Sequence, residues 1–470
     1  MADAVTIPQE DSQSLWSAVK ESIRGSHRDY TRGPIGRAIL LLAIPMVLEM
    51  IMESVFAVVD IFWVSHLGTD AAATVGLTES LMTLVYALAI GLSIGAMAMV
   101  ARRIGEQNPD GAARAAVQAL ALALIVSILI GAVGAPLAPR LLTLMGGSPW
   151  VIEHGSAFTR VMLAGNASVV MLFMIIAIFR GAGDAAIAMR TLWLANWINI
   201  VLGPCLIFGL GPFPKLGIVG AAIATTIGRG TGALFALSKL FRAGGHFCIE
   251  RRQLRIEPAI IGRLIRLSAS GTFQVFIGMA SWIGLVRIIS SFGSNAVAGY
   301  TFGIRVILFA LLPSWGMANA AATMVGQALG AKNPERAERA VWQAGFYNMI
   351  FLGVIGLLFI FFAPQIIWFY TDVPDVAQYG VDCLLAYGFL FYAYGMVLGQ
   401  SFNGAGDTWT PTIINLFVFW LWEIPLAYVL SVKAGMGPRG VFVAMMVAFS
   451  TLALVSAAVF RRGRWKRKAV

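Results

Sequence analysis

Twelve stretches of this chain stay apolar for long enough to cross a lipid bilayer, and that feature removes most of the folds open to 470 residues. A hydrocarbon core about 30 Å thick needs roughly 20 apolar residues in a helix. Only a helix, or a closed barrel, satisfies every backbone N–H and C=O where no water can. The stretches run over 37–62, 78–100, 113–135, 155–178, 187–210, 217–238, 259–290, 300–325, 337–362, 378–400, 410–432 and 437–460. Charged residues make up 12% of the chain, about half the share in soluble domains. The expected fold is therefore an all-α integral membrane protein with twelve transmembrane helices.

The net charge of +11 would suit a nucleic acid, but its placement does not. Of the 34 Lys and Arg, 26 fall on one side of the spans, with Arg180 and Arg190 counted there between the fourth and fifth. Only Arg140, Lys215, Lys433 and Arg439 fall on the other side, while Arg160, Arg229, Arg287 and Arg305 lie in or near spans. Positive charge marks the cytoplasmic side. Both termini are thus expected in the cytoplasm, with the bilayer as partner and no nucleic acid. Residues 1–36 read as a cytoplasmic segment without the apolar core of a signal peptide. Within them Leu15, Val19 and Ile23 recur at helical spacing, which suits a short interfacial helix or a disordered tail equally. Residues 461–470 read as a basic cytoplasmic tail.

The chain repeats itself. Arg103–Ala116 and Ala328–Val341 share six identities at an offset of 225, among them Asn108-Pro109 and Asn333-Pro334. Phe179-Arg180-Gly181-Ala182-Gly183-Asp184 parallels Phe402-Asn403-Gly404-Ala405-Gly406-Asp407 at an offset of 223. Six spans per half is an even number, so both halves enter from the same side. That makes two six-helix lobes, 37–238 and 259–460, related by a pseudo-two-fold axis along the membrane normal and joined by a cytoplasmic linker at 239–258. A cleft between such lobes is where alternating-access transporters hold their substrate. The Asn-Pro loops suit helix starts, and Asp184 and Asp407 are expected as N-caps.

Charge inside the membrane is the next signal. Glu49, Glu53 and Asp60 are spaced by four and seven, which places them in a stripe about 40° wide on one helix face. Carboxylates in hydrocarbon must be paired, protonated or hydrated. The stripe should therefore face the first lobe's interior or the cleft, and serve to hold H⁺ or Na⁺. Arg229 is the candidate partner for a purely structural ion pair. Pro45, one turn before Glu49, is placed to kink the helix. At the repeat offset Glu49 maps to Gln274 and Asp60 to Leu285, so the stripe belongs to the first half alone. Glu423, between Trp422 and Pro425 in the eleventh span, is the main acid of the second half; it would serve as a second coupling acid, a cation contact or a helix-kink residue.

Taken together, Val59-Asp60-Ile61-Phe62-Trp63-Val64, the paired Asn-Pro and Gly-Ala-Gly-Asp loops, and Ile424-Pro425-Leu426-Ala427-Tyr428 resemble the multidrug and toxic compound extrusion (MATE) transporters. The resemblance runs from about Arg37 to about Val459. It implies a secondary active antiporter of the bacterial inner membrane, exporting organic, cationic amphipathic compounds in exchange for H⁺ or Na⁺, as a monomer and without a cofactor. It carries the family's first-span acid onto Asp60. The family's fifth-span acid falls at Gly203, near Asn199, and its seventh- and tenth-span acids fall at Gln274 and Tyr392. Asp60, Glu49, Glu53 and Asn199 are thus the ion-coupling candidates, with Glu49 and Glu53 as replacements inferred from this sequence. Gln274, Tyr392 and Glu423 are the substrate-contact candidates. The alternative is a lipid-linked precursor flippase of a related two-lobed family. An enzyme is not expected: His27, His66, His154 and His246 lie outside the spans with no metal-ligand partner at i+4, and Cys205, Cys248 and Cys383 are isolated.

Overall fold

The computed structural model describes residues 15–25, 29–242, 245–386 and 392–468. Among these, all regular structure is helical. A short helix α1 (Leu15–Arg24) precedes α2 (Ile35–Ser65), α3 (Thr69–Gly105) and α4 (Pro109–Leu144). The fourth span begins with a π-helical turn at Val151–Gly155 and continues as α5 (Ser156–Ala164) and α6 (Asn166–Ala182). Helices α7 (Ala185–Phe208) and α8 (Ile218–Leu240) complete the first six spans. The second six start with α9 (Pro258–Ser290), α10 (Ser294–Gly330) and α11 (Pro334–Trp368). Next come α12 (Pro374–Ala386) and α13 (Tyr392–Gly404). The eleventh span comprises α14 (Trp409–Asn415), α15 (Ile424–Tyr428) and π-helical segments at Leu416–Glu423 and Val429–Lys433; α16 (Pro438–Arg461) closes the bundle.

Eleven helical stretches among the described residues are long and apolar enough to cross a membrane. The expected tenth span, 378–400, covers parts of α12 and α13, and residues 387–391 lie outside the described set. The helices outrun the apolar stretches: 78–100 is the middle of α3, which continues beyond that stretch at both ends. Helix α2 is continuous through Pro45.

The repeat is written into the backbone. Gln107 and Lys332, 225 positions apart, are the two non-glycine residues with positive φ among the described residues, at 54° and 57°. Each precedes an asparagine that caps the next helix: Asn108 Oδ1 accepts from Gly111 N at 2.8 Å, and Asn333 Oδ1 from Arg336 N at 3.0 Å. Proline follows at N1 in both, where its missing N–H costs nothing. Gly183 and Gly406, 223 apart, both adopt left-handed φ.

The aspartates after these glycines do not cap as expected. Asp184 stands at the N-cap of α7 but makes no side-chain cap hydrogen bond; its Oδ1 lies 2.9 Å from His246 Nδ1. Asp407 lies before Thr408, the N-cap of α14, and its Oδ1 lies 3.1 Å from Lys468 Nζ. In each half the segment after the sixth helix brings a basic side chain back onto this loop. That competing partner is why local sequence misassigns the caps.

The lobes meet through small residues, as helices in lipid must when close packing rather than water drives association. A Cβ on Gly105 would lie 2.0 Å from the Gln327 carbonyl oxygen, and one on Gly330 would lie 2.2 Å from that of Arg102. The described cross-lobe hydrogen bonds all gather at the end carrying the termini. Thr323 Oγ1 donates to Arg180 O at 3.0 Å, Gln327 Nε2 to Gly181 O at 3.0 Å, and Arg102 Nη2 to Ala405 O at 3.2 Å. Arg336 donates to the carbonyls of Tyr30, Arg32 and Gly33, which lead into α2. The first half of α2 packs there on the second lobe: Ile39, Leu42 and Met46 are fully buried in a cluster with Val325, Val397 and Phe402.

The tail is folded as well as basic. Arg464–Arg467 form a 3-10 turn that buries Trp465. Its ring stacks on Phe460, centroids 4.4 Å apart, and its Nε1 donates to Phe460 O at 2.9 Å. Arg102 Nη2 donates to Lys468 O at 3.0 Å, so the tail straps the second lobe to the first.

Candidate functional site

Beyond Met46, the acid stripe of α2 turns into the first lobe. Helical spacing puts Glu49 and Glu53 on one face, and that face meets α6, α7 and α8. Glu49, 1% exposed, accepts from Arg180 of α6 at 2.7 Å from Nη2 and 3.3 Å from Nε. Glu53 Oε1 accepts from Arg229 Nη2 of α8 at 2.9 Å, and Oε2 from Asn196 Nδ2 of α7 at 3.1 Å. Arg229 is itself 3% exposed, with its guanidinium 5.3 Å above the Phe56 ring. A lone charge in this environment would cost several kcal/mol; bonding within pairs offsets it.

Arg180 therefore does more than carry positive charge after the fourth span. It stands in the last turn of α6 with its side chain turned onto Glu49, and its place near a glycine-rich loop hid this pairing from the sequence. The partner expected for the stripe, Arg229, is in place against Glu53.

Asp60 differs from both glutamates. Among the described residues its carboxylate has neither a hydrogen bond nor an ion pair, although it interacts electrostatically with Arg229 and with Glu79 of α3. Arg229 keeps Nε and Nη1 buried without a partner, so the guanidinium has capacity beyond Glu53. Asn199 does not touch the acids: its Nδ2 donates to Thr225 Oγ1 of α8 at 2.8 Å. Asn196, one turn earlier, occupies the place facing Glu53. Sequence reasoning missed Asn196 and Glu79. The signal available was the i, i+3 pairing of two asparagines on one apolar helix, which does not say which of them faces inward.

In the second lobe Tyr392 and Glu423 lie within electrostatic reach of each other, while Gln274 makes no described hydrogen bond to either. Gln274 of α9 has a buried Oε1 without a partner. It is one turn beyond Ser270 on the helix that packs against Gly91 of α3, where a glycine Cβ would lie 2.5 Å from Thr272 N. Tyr392 packs on Phe449 of α16, centroids 4.3 Å apart, and lines a small cavity of about 20 Å³ with Ile307, Leu352 and Phe359. Glu423 is 2% exposed and has neither a hydrogen bond nor an ion pair among the described residues. It ends the π-helical segment Leu416–Glu423, two residues before Pro425. Proline withdraws a backbone donor there, and π-helical turns in membrane helices often mark functional positions. The structure thus assembles four first-lobe side chains, Glu49, Glu53, Arg180 and Arg229, into two ion pairs beside an unpaired Asp60, and leaves one buried acid, Glu423, unpaired among the described residues of the second.

Among the described residues no cluster of three or more metal-ligating side chains occurs. The arrangement can exchange a monovalent cation or proton at a free carboxylate that lies near the paired Glu53 and Arg229 and within electrostatic reach of Glu79.

The MatE family model matches the chain twice, at residues 45–205 and 271–429, once in each half. The chain is 29% identical over 456 residues to "Probable multidrug resistance protein NorM" of Caulobacter vibrioides, covering 93% of this chain and 94% of that protein. It is 25% identical over 445 residues to the protein of the same description from Thermotoga maritima, covering 93% and 94%. Among solved structures it is similar to an outward-facing conformation of a multidrug resistance MATE family transporter of the MOP superfamily. The TM-score there is 0.86, with 28% identity over 93% of this chain and 98% of that one.

Proposed function

Because this chain belongs to the MATE family, and is thus a multi-pass membrane protein that moves small organic compounds by secondary active antiport, we propose that Asp60 is the acid through which ion entry is coupled to export. The observation that carries this reading is the contrast along one helix. Glu49 and Glu53 are held by arginines, while Asp60 has no bonded cation and can exchange one.

H⁺ or Na⁺ reaches Asp60 from outside. An unloaded Asp60 carboxylate draws on the unused Nε and Nη1 edge of Arg229. Loading neutralises Asp60, returns Arg229 to Glu53 and Asn196, and changes how α2 sits against α7 and α8. Because the first half of α2 packs on the second lobe, that change reaches the closed interface. Glu49 and Glu53 take part as the paired acids that hold α2 in register, and Asn199 as the residue that joins α7 to α8 through Thr225. Gln274, Tyr392 and Glu423 contact the substrate from the second lobe, with Glu423 supplying a carboxylate for an organic cation. The protein works as a monomer in a bacterial inner membrane, with both termini cytoplasmic, and the lobes closed at that face correspond to a state open to the outside.

A lipid-linked pyrophosphate is a poorer substrate for this site. Arg229 faces Glu53 within the lobe, and Arg287, in the last turn of α9, and Arg305, within α10, are both exposed, so no cationic cleft forms among the described residues.

Efflux of a fluorescent organic cation from vesicles, with pH and Na⁺ gradients imposed separately, tests the proposal. One gradient should drive efflux, and Asp60→Asn should abolish the driven component while the protein still inserts. Dependence on neither gradient, or full activity of Asp60→Asn, overturns it.

A further inference from the structure

We propose that the face carrying the termini holds a second binding site, for a phosphate group, between α1, the start of α7, the end of α8 and the linker. A cavity of about 280 Å³ opens there, far larger than the roughly 30 Å³ share of one water. Arg24, Arg190, Lys239 and Arg242 line it, and Asp184 is the single carboxylate among its walls. That carboxylate is already engaged, with Oδ1 2.9 Å from His246 Nδ1 and Oδ2 3.4 Å from His246 N. None of the four cations has an ion pair among the described residues. Four positive groups around one space repel one another unless an anion enters.

The walls are built rather than accidental. Arg190 Nη2 donates to Ile23 O at 2.8 Å and to Arg24 O at 2.9 Å, which fixes its guanidinium against the end of α1. Arg37 anchors α1 from the other side through Glu21 at 2.7 Å. Ala18 and Ser22 bury the inner face of α1, leaving Trp16 76% and Ile23 38% exposed on its outer side. Those two are seven residues apart, hence on one stripe. A helix that presents an apolar stripe beside basic side chains lies in the membrane interface, where anionic headgroups offer phosphate. Inorganic or metabolite phosphate offers the same chemistry from the cytoplasm. Guanidinium and ammonium groups recognise either source through charge-assisted hydrogen bonds. Positive charge that only marks topology needs no cavity and no fixed guanidinium.

The experiment compares the full chain with Lys239→Ala/Arg242→Ala and with Arg263→Ala/Arg266→Ala, which removes two exposed cations from the same face of the second lobe. Thermal unfolding in neutral detergent is followed with short-chain phosphatidylglycerol, short-chain phosphatidylcholine or inorganic phosphate added. Phosphatidylglycerol should raise Tm in the parent and in the second-lobe variant, and this shift should be lost in Lys239→Ala/Arg242→Ala. Arg24→Ala, on the opposite wall, should diminish it too, and serves if the double variant unfolds unaided. Inorganic phosphate producing the same variant-sensitive shift identifies a soluble anion as the source; phosphatidylglycerol alone producing it identifies the lipid. No shift with any addition, an equal shift with phosphatidylcholine, or a shift surviving in both cavity variants overturns the site.

Discussion

Glu49 and Arg180 form a buried ion pair whose repeat-related counterparts, Gln274 and Asn403, are two amides that do not bond to each other. Asn403 Nδ2 donates to Gln400 Oε1 at 3.1 Å instead. One lobe thus ties its first helix to its fourth span with charge, and the other leaves the same junction neutral. Removing one partner of a buried pair costs about 3–5 kcal/mol, because the other charge stays unbalanced. Glu49→Gln should lower stability by about that amount, and Glu49→Gln/Arg180→Asn, which copies the second lobe, should recover most of it. Thermal unfolding of the three proteins in detergent reads the difference; equal losses in single and double variants would count against a pair.

Arg229→Met should behave differently from Asp60→Asn. It strips Glu53 of its cation and Asp60 of a neighbouring positive charge. Ion binding should survive, because Asp60 remains, while its coupling to export fails. Ion-stimulated substrate efflux and substrate-independent ion uptake, measured in the same vesicles, separate the two. An Arg229→Met protein that exports as well as its parent would show that the Glu53–Arg229 pair does not move.

Substituting Gly105 or Gly330 by alanine should open the lobes at the closed face. Each new Cβ would meet a backbone carbonyl of the other lobe at a distance no real contact shows, and backbone does not yield. Amide hydrogen exchange over 322–330 and 101–106 should speed up, with transport falling while the helices remain. Unchanged exchange in both variants would mean that the interface relaxes without parting.

Trp465→Ala should destabilise the second lobe by about 3–5 kcal/mol, the usual cost of deleting a buried aromatic. It should also release the tail from Arg102. Trypsin accessibility of the 464–468 segment reads the release directly, and continued protection would show that the Lys468 contacts hold it alone.

Glu423→Gln should leave folding nearly intact, since no partner loses a bond. Its effect should be selective: weaker export of organic cations, with neutral amphipaths exported as before. Equal losses for both would make Glu423 a helix-geometry residue.

Much of this could be read before the helices were seen. Apolar length is a property of the sequence alone, and so is the repeat, because duplicated turns keep the residues their dihedrals demand; the matched left-handed Gln107 and Lys332 show that demand. What stayed hidden depends on contacts across the chain. Arg180 reads only as a topology charge until α6 is laid beside α2 and Glu49 becomes its partner. Asn196 and Asn199 look alike until the rotation of α7 is fixed. Asp184 and Asp407 look like caps until the linker and the tail fold back over them. Local rules fail at these places because a distant partner competes for the same group.

The linker belongs to the first lobe: Gln253 Nε2 donates to Asp110 Oδ1 at 2.8 Å, Gln118 bonds Arg255 O at 2.6 Å and Glu257 N at 3.0 Å, and His246 closes on Asp184. A segment that looks long enough to be a loose tether is instead cargo carried by one side. Covalent freedom between the lobes then narrows to the few bonds around Glu257-Pro258, which act as a short joint rather than a leash.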